Sequence, residues 1–164
     1  MIIILGKGGH AKVCAEALRS HSREILFEFR TTEDQISVND EVIIGIGDIK
    51  IRRSLFEKYR WQVLSLAHPS SVIASDYKPN LGIQIMAGAI IQPGCKIDEN
   101  VLINTRASVD HDCIIGSHVH IAPGAILCGG VTVRDGAFIG AGAIIPEGRN
   151  VPADAFVPAG TVFK

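Results

Sequence analysis

Between residues 85 and 157, every sixth residue of the chain is isoleucine, leucine or valine. Because 47% of all residues are hydrophobic, thirteen apolar residues in one phase would arise by chance with a probability on the order of 10⁻⁴. The residue four places after each of them is usually alanine or cysteine. Hexapeptide repeats of this kind predict a parallel β-helix whose triangular coils take about 18 residues each. The repeated positions are Ile85, Ile91, Ile97, Ile103, Val109, Ile115, Ile121, Leu127, Val133, Ile139, Ile145, Val151 and Val157.

Roughly the first 67 residues follow a different rule, because short aliphatic runs alternate there with helix-like segments. Continuous aliphatic runs are typical of strands that are buried on both faces of a parallel sheet. The alternation predicts a small α/β domain, about half of a Rossmann-type dinucleotide-binding domain. The four predicted strands are IIIL (2–5), EILFEF (24–29), VIIGI (42–46) and VLSLA (63–67).

Two helices are predicted between these strands. The first covers the segment HAKVCAEALRS, in which apolar residues recur at the helical period. The second follows Asp48, whose short carboxylate side chain favours the N-cap position of a helix. The residues predicted to share the buried face of the first helix are Val13, Cys14, Ala17 and Leu18.

The charge and the N-terminal segment argue against several classes of protein. The net charge is −1, with 16 basic and 17 acidic residues, so no basic field is available to attract nucleic acid or an anionic membrane surface. The apolar run at the N-terminus has only four residues, which is too short for a signal peptide or a membrane span. The four cysteines contain no CxxC pair, so neither a zinc site nor a redox motif is indicated. We therefore expect a cytoplasmic protein.

The stretch VDHDCIIGSHVH (109–120) carries three of the six histidines of the chain. In the six-residue phase, His111 and Asp112 fall on an outward corner of the β-helix, and His118 falls on the next corner. His120 directly precedes an interior isoleucine, so its side chain points outward from the following side. Three imidazoles in those places cannot bind one ion within a single chain. We therefore expect no metal, and a zinc hydratase is the least favoured function.

β-Helices of this kind resemble a family of trimeric acyltransferases, in which the cofactor lies in a groove between subunits. At such a groove His111 predicts a general base, whose basicity the neighbouring carboxylate of Asp112 raises. Gly129 follows His111 by 18 residues, on the same corner, where a missing side chain leaves room for a cofactor chain. His120 of a neighbouring subunit is a candidate to hydrogen-bond the acetyl carbonyl. A solvated surface side chain is the alternative for each histidine, above all for His118.

The segment ILGKGGHA places Gly6, Gly8 and Ala11 in a G-x-G-x-x-A pattern between a strand and a helix. Such a turn lets backbone N–H groups and the helix N-terminus approach a phosphate. Glu28 lies 22 residues after Gly6, at the place of the acid that binds a ribose in dinucleotide folds. Half a dinucleotide-binding domain nevertheless favours a mononucleotide or a nucleotide-sugar diphosphate. A tight turn without a ligand is the alternative.

Six segments together resemble, in order, the sugar acetyltransferases of the sialic-acid/bacillosamine type, and the resemblance covers nearly all 164 residues. It implies a nucleotide-sugar-binding α/β domain over residues 1–67, followed by a left-handed parallel β-helix over 68–164. It also implies a homotrimer without metal that uses acetyl-CoA and acetylates the amino group of a nucleotide-linked amino-deoxysugar for a surface polysaccharide. The segments are GKGGHAKV, IGIGDIKIRR, AHPSSVIA, IMAGAIIQPGCKI, INTRASVDHDCIIGSHVHIAPGAILCGGV and AFIGAGAIIP.

The resemblance also implies roles for individual residues. The catalytic base is His111, and the acidic neighbour that raises its basicity is Asp112. The residues implied to bind acetyl-CoA are His120, Gly129 and Ala141. The residues implied to bind the nucleotide sugar are Gly8, Gly9, His10 and Gly47.

The chain departs from the family where an acidic pair usually follows the second strand. The matching segment reads EFRTTED, with Arg30 and Thr31 at the place of the pair and Glu28 just before it. The nucleotide is therefore left open among UDP, dTDP and GDP. Acetylation of a sugar hydroxyl is an alternative reaction, because the same base serves either nucleophile. A non-catalytic trimer that binds a nucleotide sugar is the alternative from another class.

Overall fold

The structure is a computed structural model that describes residues 1–31 and 34–164. Its N-terminal part contains a three-stranded parallel sheet in the order β2-β1-β3, with two helices. A 3₁₀ turn, Arg60–Gln62, follows the second helix. The elements of this part are β1 (Ile2–Leu5), α1 (Gly9–His21), β2 (Phe27–Arg30), β3 (Glu41–Ile44) and α2 (Ile49–Tyr59).

The central strand β1 is buried on both of its faces, as its continuous aliphatic sequence predicts. Ile4 packs in a cluster with α1, whereas Ile3 and Leu5 pack in a second cluster with α2. The second helix begins where the sequence predicts, because Asp48 Oδ1 accepts a hydrogen bond from Ile51 N at 3.0 Å. The prediction for Val13 is wrong. Its side chain is 40% exposed, because the buried face of α1 is centred on its alanines and Cys14.

Fifteen strands of two residues each form the remainder of the described chain. Each hexad contributes one strand, and strands 18 residues apart pair in parallel. The strands are β4 (Leu66–Ala67), β5 (Val72–Ile73), β6 (Gln84–Ile85), β7 (Ile90–Ile91), β8 (Lys96–Ile97), β9 (Leu102–Ile103), β10 (Ser108–Val109), β11 (Ile114–Ile115), β12 (His120–Ile121), β13 (Ile126–Leu127), β14 (Thr132–Val133), β15 (Phe138–Ile139), β16 (Ile144–Ile145), β17 (Asn150–Val151) and β18 (Phe156–Val157).

These strands form the three faces of a left-handed parallel β-helix of about five coils. The first face is the sheet β5-β7-β10-β13-β16, the second is β8-β11-β14-β17, and the third is β4-β6-β9-β12-β15-β18. All thirteen predicted interior positions are at most 2% exposed. The six-residue period therefore predicted the interior of the β-helix correctly.

Every corner of the β-helix between residues 82 and 160 contains one residue with a left-handed backbone, with φ between 55° and 79°. Glycine occupies most of these positions, because it has no side chain to clash there. Four successive corners use another residue. They are Asn100, Arg106, Asp112 and His118.

The N-terminal part packs on the third face of the β-helix. Helix α1 shares a buried cluster with Leu66, Met86 and Leu102. The predicted strand at 63–67 is divided between the two parts, because Val63 bridges to β3 while Leu66–Ala67 pairs with β6. Outward side chains on the upper coils of the third face are therefore covered by protein.

None of the helices in the described residues is long and apolar enough to cross a membrane.

Candidate functional site

His111 and Asp112 form an ion pair at the corner that follows β10. Asp112 has a left-handed backbone, with φ of 57°, and its Oδ2 lies 2.9 Å from His111 Nδ1. The imidazole is 57% exposed. A carboxylate can only accept a hydrogen bond, so Nδ1 carries the proton in the neutral ring. The other nitrogen, Nε2, is therefore the one available as a base.

The surroundings of His111 raise its pKa above the usual value. The hydrogen bond to Asp112 is the main cause, and the charge of Asp110 adds to it. Both carboxylates favour the protonated imidazole. The pair can thus accept a proton and stabilise the resulting imidazolium, which is what a general base requires.

Gly129 lies directly beside the ring of His111, as the 18-residue spacing predicts. A Cβ at Gly129 would lie 2.6 Å from both Cε1 and Nε2 of the histidine. The backbone of the same coil supports the base, because Gly130 N donates a hydrogen bond to His111 O at 2.9 Å. Position 129 therefore has to be glycine for the ring to lie where it does.

Exposed isoleucines flank the corner that carries His111. Ile126 and Ile144 point outward from the first face and are 43% and 36% exposed, and Ile114 points outward from the second face and is 50% exposed. An exposed apolar surface on both sides of a polar pair is typical of an interaction site. Ala141 lies on another corner, between β15 and β16, and so does not meet His111 within one chain.

His120 lies between the β-helix and the N-terminal part and is 7% exposed. Its Nδ1 is 3.0 Å from Gly47 O and its Nε2 is 3.3 Å from Asn104 Nδ2. Asn104 Oδ1 accepts from Thr105 N, so the amide nitrogen of Asn104 faces His120. Because a carbonyl can only accept, Nδ1 of His120 donates its proton to Gly47 O, and Nε2 accepts from Asn104.

Burial lowers the pKa of His120 to about 4, and the hydrogen bond to Gly47 opposes this change only in part. The ring is therefore neutral at neutral pH. The structure thus brings together two residues with different predicted roles, His120 for acetyl-CoA and Gly47 for the nucleotide sugar. The contact of His120 with acetyl-CoA stays a prediction.

The solvated alternative for His118 is wrong. The ring is 8% exposed and packs edge-on against Phe56 of α2, with ring centroids 5.6 Å apart. Its Nδ1 lies 2.9 Å from Asn100 Nδ2, and Nε2 lies 3.6 Å from Glu57 Oε1. Helix α2 covers this corner, so His118 joins the two parts of the chain. The three histidines do not converge, and the described residues contain no group of three metal-ligating side chains.

The glycine loop lies at the carboxyl end of β1, where the sequence predicts a phosphate site. Gly8 is the N-cap of α1, and side-chain positions at Gly8 and Gly9 face open space. A cleft of about 340 Å³ beside the loop is lined by Lys7, Lys12 and Phe29. Two ammonium groups near a helix N-terminus suit a negatively charged diphosphate.

The segment at the place of the family's acidic pair carries an ion pair instead. Arg30 Nη2 lies 2.8 Å from Glu28 Oε2, and Arg30 Nη1 donates to Gln35 O. The next residues of the segment, Thr32 and Glu33, lie outside the described part of the chain. The charge of Arg30 is thus partly compensated by a carboxylate of its own strand.

Comparisons with known proteins agree with this geometry. The family model described as bacterial transferase hexapeptide (six repeats) matches residues 94–129 and 112–147. The chain is 32% identical to PerB from Caulobacter crescentus, solved in complex with CoA and GDP-perosamine, with a TM-score of 0.92 over 99% of this chain and 88% of that one. It is 28% identical to the acetyltransferase domain of PglB from Neisseria gonorrhoeae FA1090, solved with acetyl coenzyme A, with a TM-score of 0.91 over 99% and 90% of the two chains.

The fold and the exposed histidine–carboxylate corner define the class of acetyl-CoA-dependent acetyltransferases with a left-handed β-helix. Within that class, the chain belongs to the hexapeptide-repeat sugar acetyltransferases that its sequence resembles. WeeI from Acinetobacter baumannii AYE, at 24% identity and a TM-score of 0.71 over 99% and 95% of the two chains, shares the fold.

Sequence reasoning missed three polar residues that join the two parts of the chain. They are Gln84, Asn100 and Asn104, which bond His10, His118 and His120 respectively. The signal for Gln84 was a polar residue directly before an interior isoleucine, at an outward position that is apolar on the neighbouring coil, Leu102.

Proposed function

We propose that this protein transfers the acetyl group of acetyl-CoA to the amino group of a nucleotide-linked amino-deoxysugar, with His111 as the general base. The observation that carries the proposal is the exposed His111–Asp112 pair, whose geometry leaves Nε2 free to accept a proton. A base on the surface of the β-helix needs a substrate in a groove beside it. The missing side chain of Gly129 provides the space.

The reaction is direct attack. The neutral amine of the sugar forms a C–N bond with the thioester carbonyl, and the C–S bond of acetyl-CoA then breaks. His111 Nε2 takes the proton that the amine loses, and the thiolate of CoA leaves and is protonated. Asp112 stabilises the imidazolium that forms.

The N-terminal part is the proposed site of the nucleotide sugar. Lys7 and Lys12 beside the open glycine loop supply positive charge for a diphosphate, and Phe29 offers an aromatic surface in the same cleft. The complex of PerB with GDP-perosamine and CoA supports this class of acceptor. Gly8, Gly9, His10 and Gly47 are the residues proposed to contact it.

We further propose that the enzyme is a homotrimer with acetyl-CoA between subunits, bound by His120, Gly129 and Ala141. The exposed isoleucines on both sides of the His111 corner support such a contact. A neighbouring subunit that brings its Ala141 corner to the Gly129 corner would place both beside one cofactor. Because acetyl-CoA and nucleotide sugars are metabolites of the cytoplasm, we place the enzyme there, in the synthesis of a surface polysaccharide.

A panel of UDP-, dTDP- and GDP-linked 4-amino sugars tests the proposal. Each is incubated with acetyl-CoA, and release of the CoA thiol is followed. At least one member should release thiol with the wild type, and His111→Ala should abolish most of that release. His21→Ala, which removes an exposed histidine of α1, is the matched control and should be as active as the wild type.

Three outcomes would contradict the proposal. Thiol release that is unchanged in His111→Ala would reject His111 as the base. An acetylated product that mild hydroxylamine cleaves is an ester, which would show O-acetylation. If nucleotide sugars bind but no member of the panel releases thiol, the protein is a non-catalytic binding trimer.

A further inference from the structure

The side chain of Gln84 joins the β-helix to two segments of the proposed acceptor site. It points outward from β6 and is 1% exposed. Its Oε1 lies 2.8 Å from His10 Nε2, in the first turn of α1. Its Nε2 donates to Ile44 O at 2.9 Å, at the end of β3. We propose that Gln84 is a positioning residue for the acetyl acceptor, which fixes the ring of His10 and holds the glycine loop in register with the β-helix.

The orientation of the Gln84 amide follows from its partners. Ile44 O can only accept, and it also accepts from Arg52 Nη1 at 2.9 Å. The NH₂ group of Gln84 must therefore face Ile44, and its carbonyl oxygen must face His10. Because that oxygen can only accept, His10 Nε2 carries a proton. In a neutral ring the remaining nitrogen, Nδ1, is then an acceptor.

The groups that face His10 keep the ring neutral. They are the guanidinium of Arg52, the thiol of Cys14 and the imidazole of His120. Burial is the main reason that the pKa of His10 lies below its usual value; the hydrogen bond to Gln84 opposes this change, and Arg52 adds to it. An acceptor substrate at the glycine loop thus meets a hydrogen-bond acceptor at His10, which suits a hydroxyl or amine donor of the substrate.

The same contact sets the distance between the acceptor and the transfer site. Gln84 and His120 both lie on the third face, with β9 between their strands. Gln84 holds the end of β3 at Ile44, and His120 holds the following loop at Gly47. The two polar contacts together fix the N-terminal part on the β-helix. Removal of one leaves the other, and the interior of the β-helix is untouched, so we expect variants of Gln84 to fold.

The inference rests on the proposed function, and two variants test it. Gln84→Met keeps the volume of the side chain and removes both hydrogen bonds. Gln84→Glu keeps the acceptor for His10 but loses the donor to Ile44 O and adds a negative charge. Asn150→Asp, on the exposed outer side of β17, makes the same amide-to-carboxylate change far from His10 and is the control.

The first readout needs no substrate. Imidazole ¹⁵N NMR of the wild type should show His10 protonated at Nε2 and neutral at pH 7. In Gln84→Glu, the new carboxylate should raise the pKa of His10, whereas Asn150→Asp should leave it as in the wild type. A wild-type His10 that carries its proton at Nδ1 would overturn the proposal.

The second readout is kinetic. Loss of one buried hydrogen-bonded contact corresponds to about a tenfold effect, so Gln84→Met should raise the KM of the acceptor sugar about tenfold. The KM of acetyl-CoA should change less than about twofold on the same scale. An unchanged acceptor KM, or an equal rise in both KM values, would overturn the positioning role. If no acceptor is turned over at all, the proposed function has failed, while the NMR result still decides the role of Gln84 in fixing His10.

Discussion

His111 and Gly129 lie so close together that no residue with a side chain fits at position 129 without moving the histidine. A Cβ there would be 2.6 Å from two ring atoms of His111. Asp112 holds the opposite side of the ring, through Nδ1. The base is therefore positioned by one hydrogen bond and one missing side chain.

Gly129→Ala should remove activity and leave stability almost unchanged. The added methyl group displaces only an exposed imidazole, and the backbone of Gly129 is not in the left-handed region. We expect kcat/KM to fall at least about tenfold, because a misplaced base loses its geometry for proton transfer. Steady-state kinetics and a thermal melt of the same sample check this.

Gly130→Ala is the control for that variant. Gly130 has φ of 66°, and a Cβ added there would have no other atom within 4 Å. Alanine should therefore cost about 1 kcal/mol of stability and leave the base in place. A fully active Gly129→Ala variant would show that the ring position does not matter for catalysis.

Asp112→Asn should shift the pH dependence of the reaction. The hydrogen bond to Asp112 is the main cause of the raised pKa of His111. Without the carboxylate the pKa falls, so His111 is deprotonated at lower pH, and the acid limb of kcat/KM moves to lower pH. The plateau should fall about tenfold or more, because the imidazolium is no longer stabilised.

Asp154→Asn is matched to that change, since Asp154 is another corner aspartate, with φ of 55°. Its pH profile should coincide with that of the wild type. An acid limb in Asp112→Asn that stays in place or moves to higher pH would contradict the assignment of His111 as the base.

His120→Gln should make the stability of the protein less dependent on pH. The folded-state pKa of His120 is about 4, against a usual value of 6.5, so below pH 6.5 the unfolded chain binds a proton that the folded chain does not. The contribution of the neutral ring is fully present above pH 6.5 and is lost as the pH falls towards 4. Over that range it amounts to about 3 kcal/mol.

Urea unfolding at several pH values measures this dependence. His21→Gln, which replaces an exposed histidine, should keep the pH slope of the wild type. If His120→Gln also keeps that slope, the ring is not buried and neutral in solution as it is in the structure.

Ile126→Glu should separate the subunits. Ile126 is 43% exposed on the first face, beside the corner of the base, and a buried unpaired carboxylate at an interface is strongly unfavourable. Light scattering should give the mass of three chains for the wild type and of one chain for the variant, with loss of activity. Leu26→Glu, at an 80% exposed leucine of the N-terminal part, should remain a trimer. A wild type that is itself monomeric would rule out the intersubunit groove.

The interior of the β-helix could be predicted from the sequence because each hexad repeats one local environment. Val109, for example, pairs with Ile91 and Leu127 at the same interior position of neighbouring coils. The same phase correctly placed His111 and Asp112 on an exposed corner with Gly129 stacked against it. A periodic fold determines the direction of every side chain, and that was sufficient for the base.

The period could not predict what covers an outward side chain. His118 and His120 both point away from the interior of the β-helix, yet Phe56 and Gly47 cover them. Those partners lie about 60 to 70 residues earlier in the chain, in a part with no hexads. Contacts between an aperiodic and a periodic unit depend on how the two dock, which neither pattern contains. The role of Gln84 was hidden for the same reason.

The four successive corners without glycine have a consequence for protein engineering. An L-residue in the left-handed conformation costs up to about 1–2 kcal/mol, and three of these four residues make contacts that glycine cannot: Asn100, Asp112 and His118. Arg106 is exposed and belongs to no such contact. Attempts to make the enzyme more heat-resistant should therefore begin with Arg106→Gly and leave the other three corners as they are, since conformational strain is kept there in exchange for chemistry and for docking of the two domains.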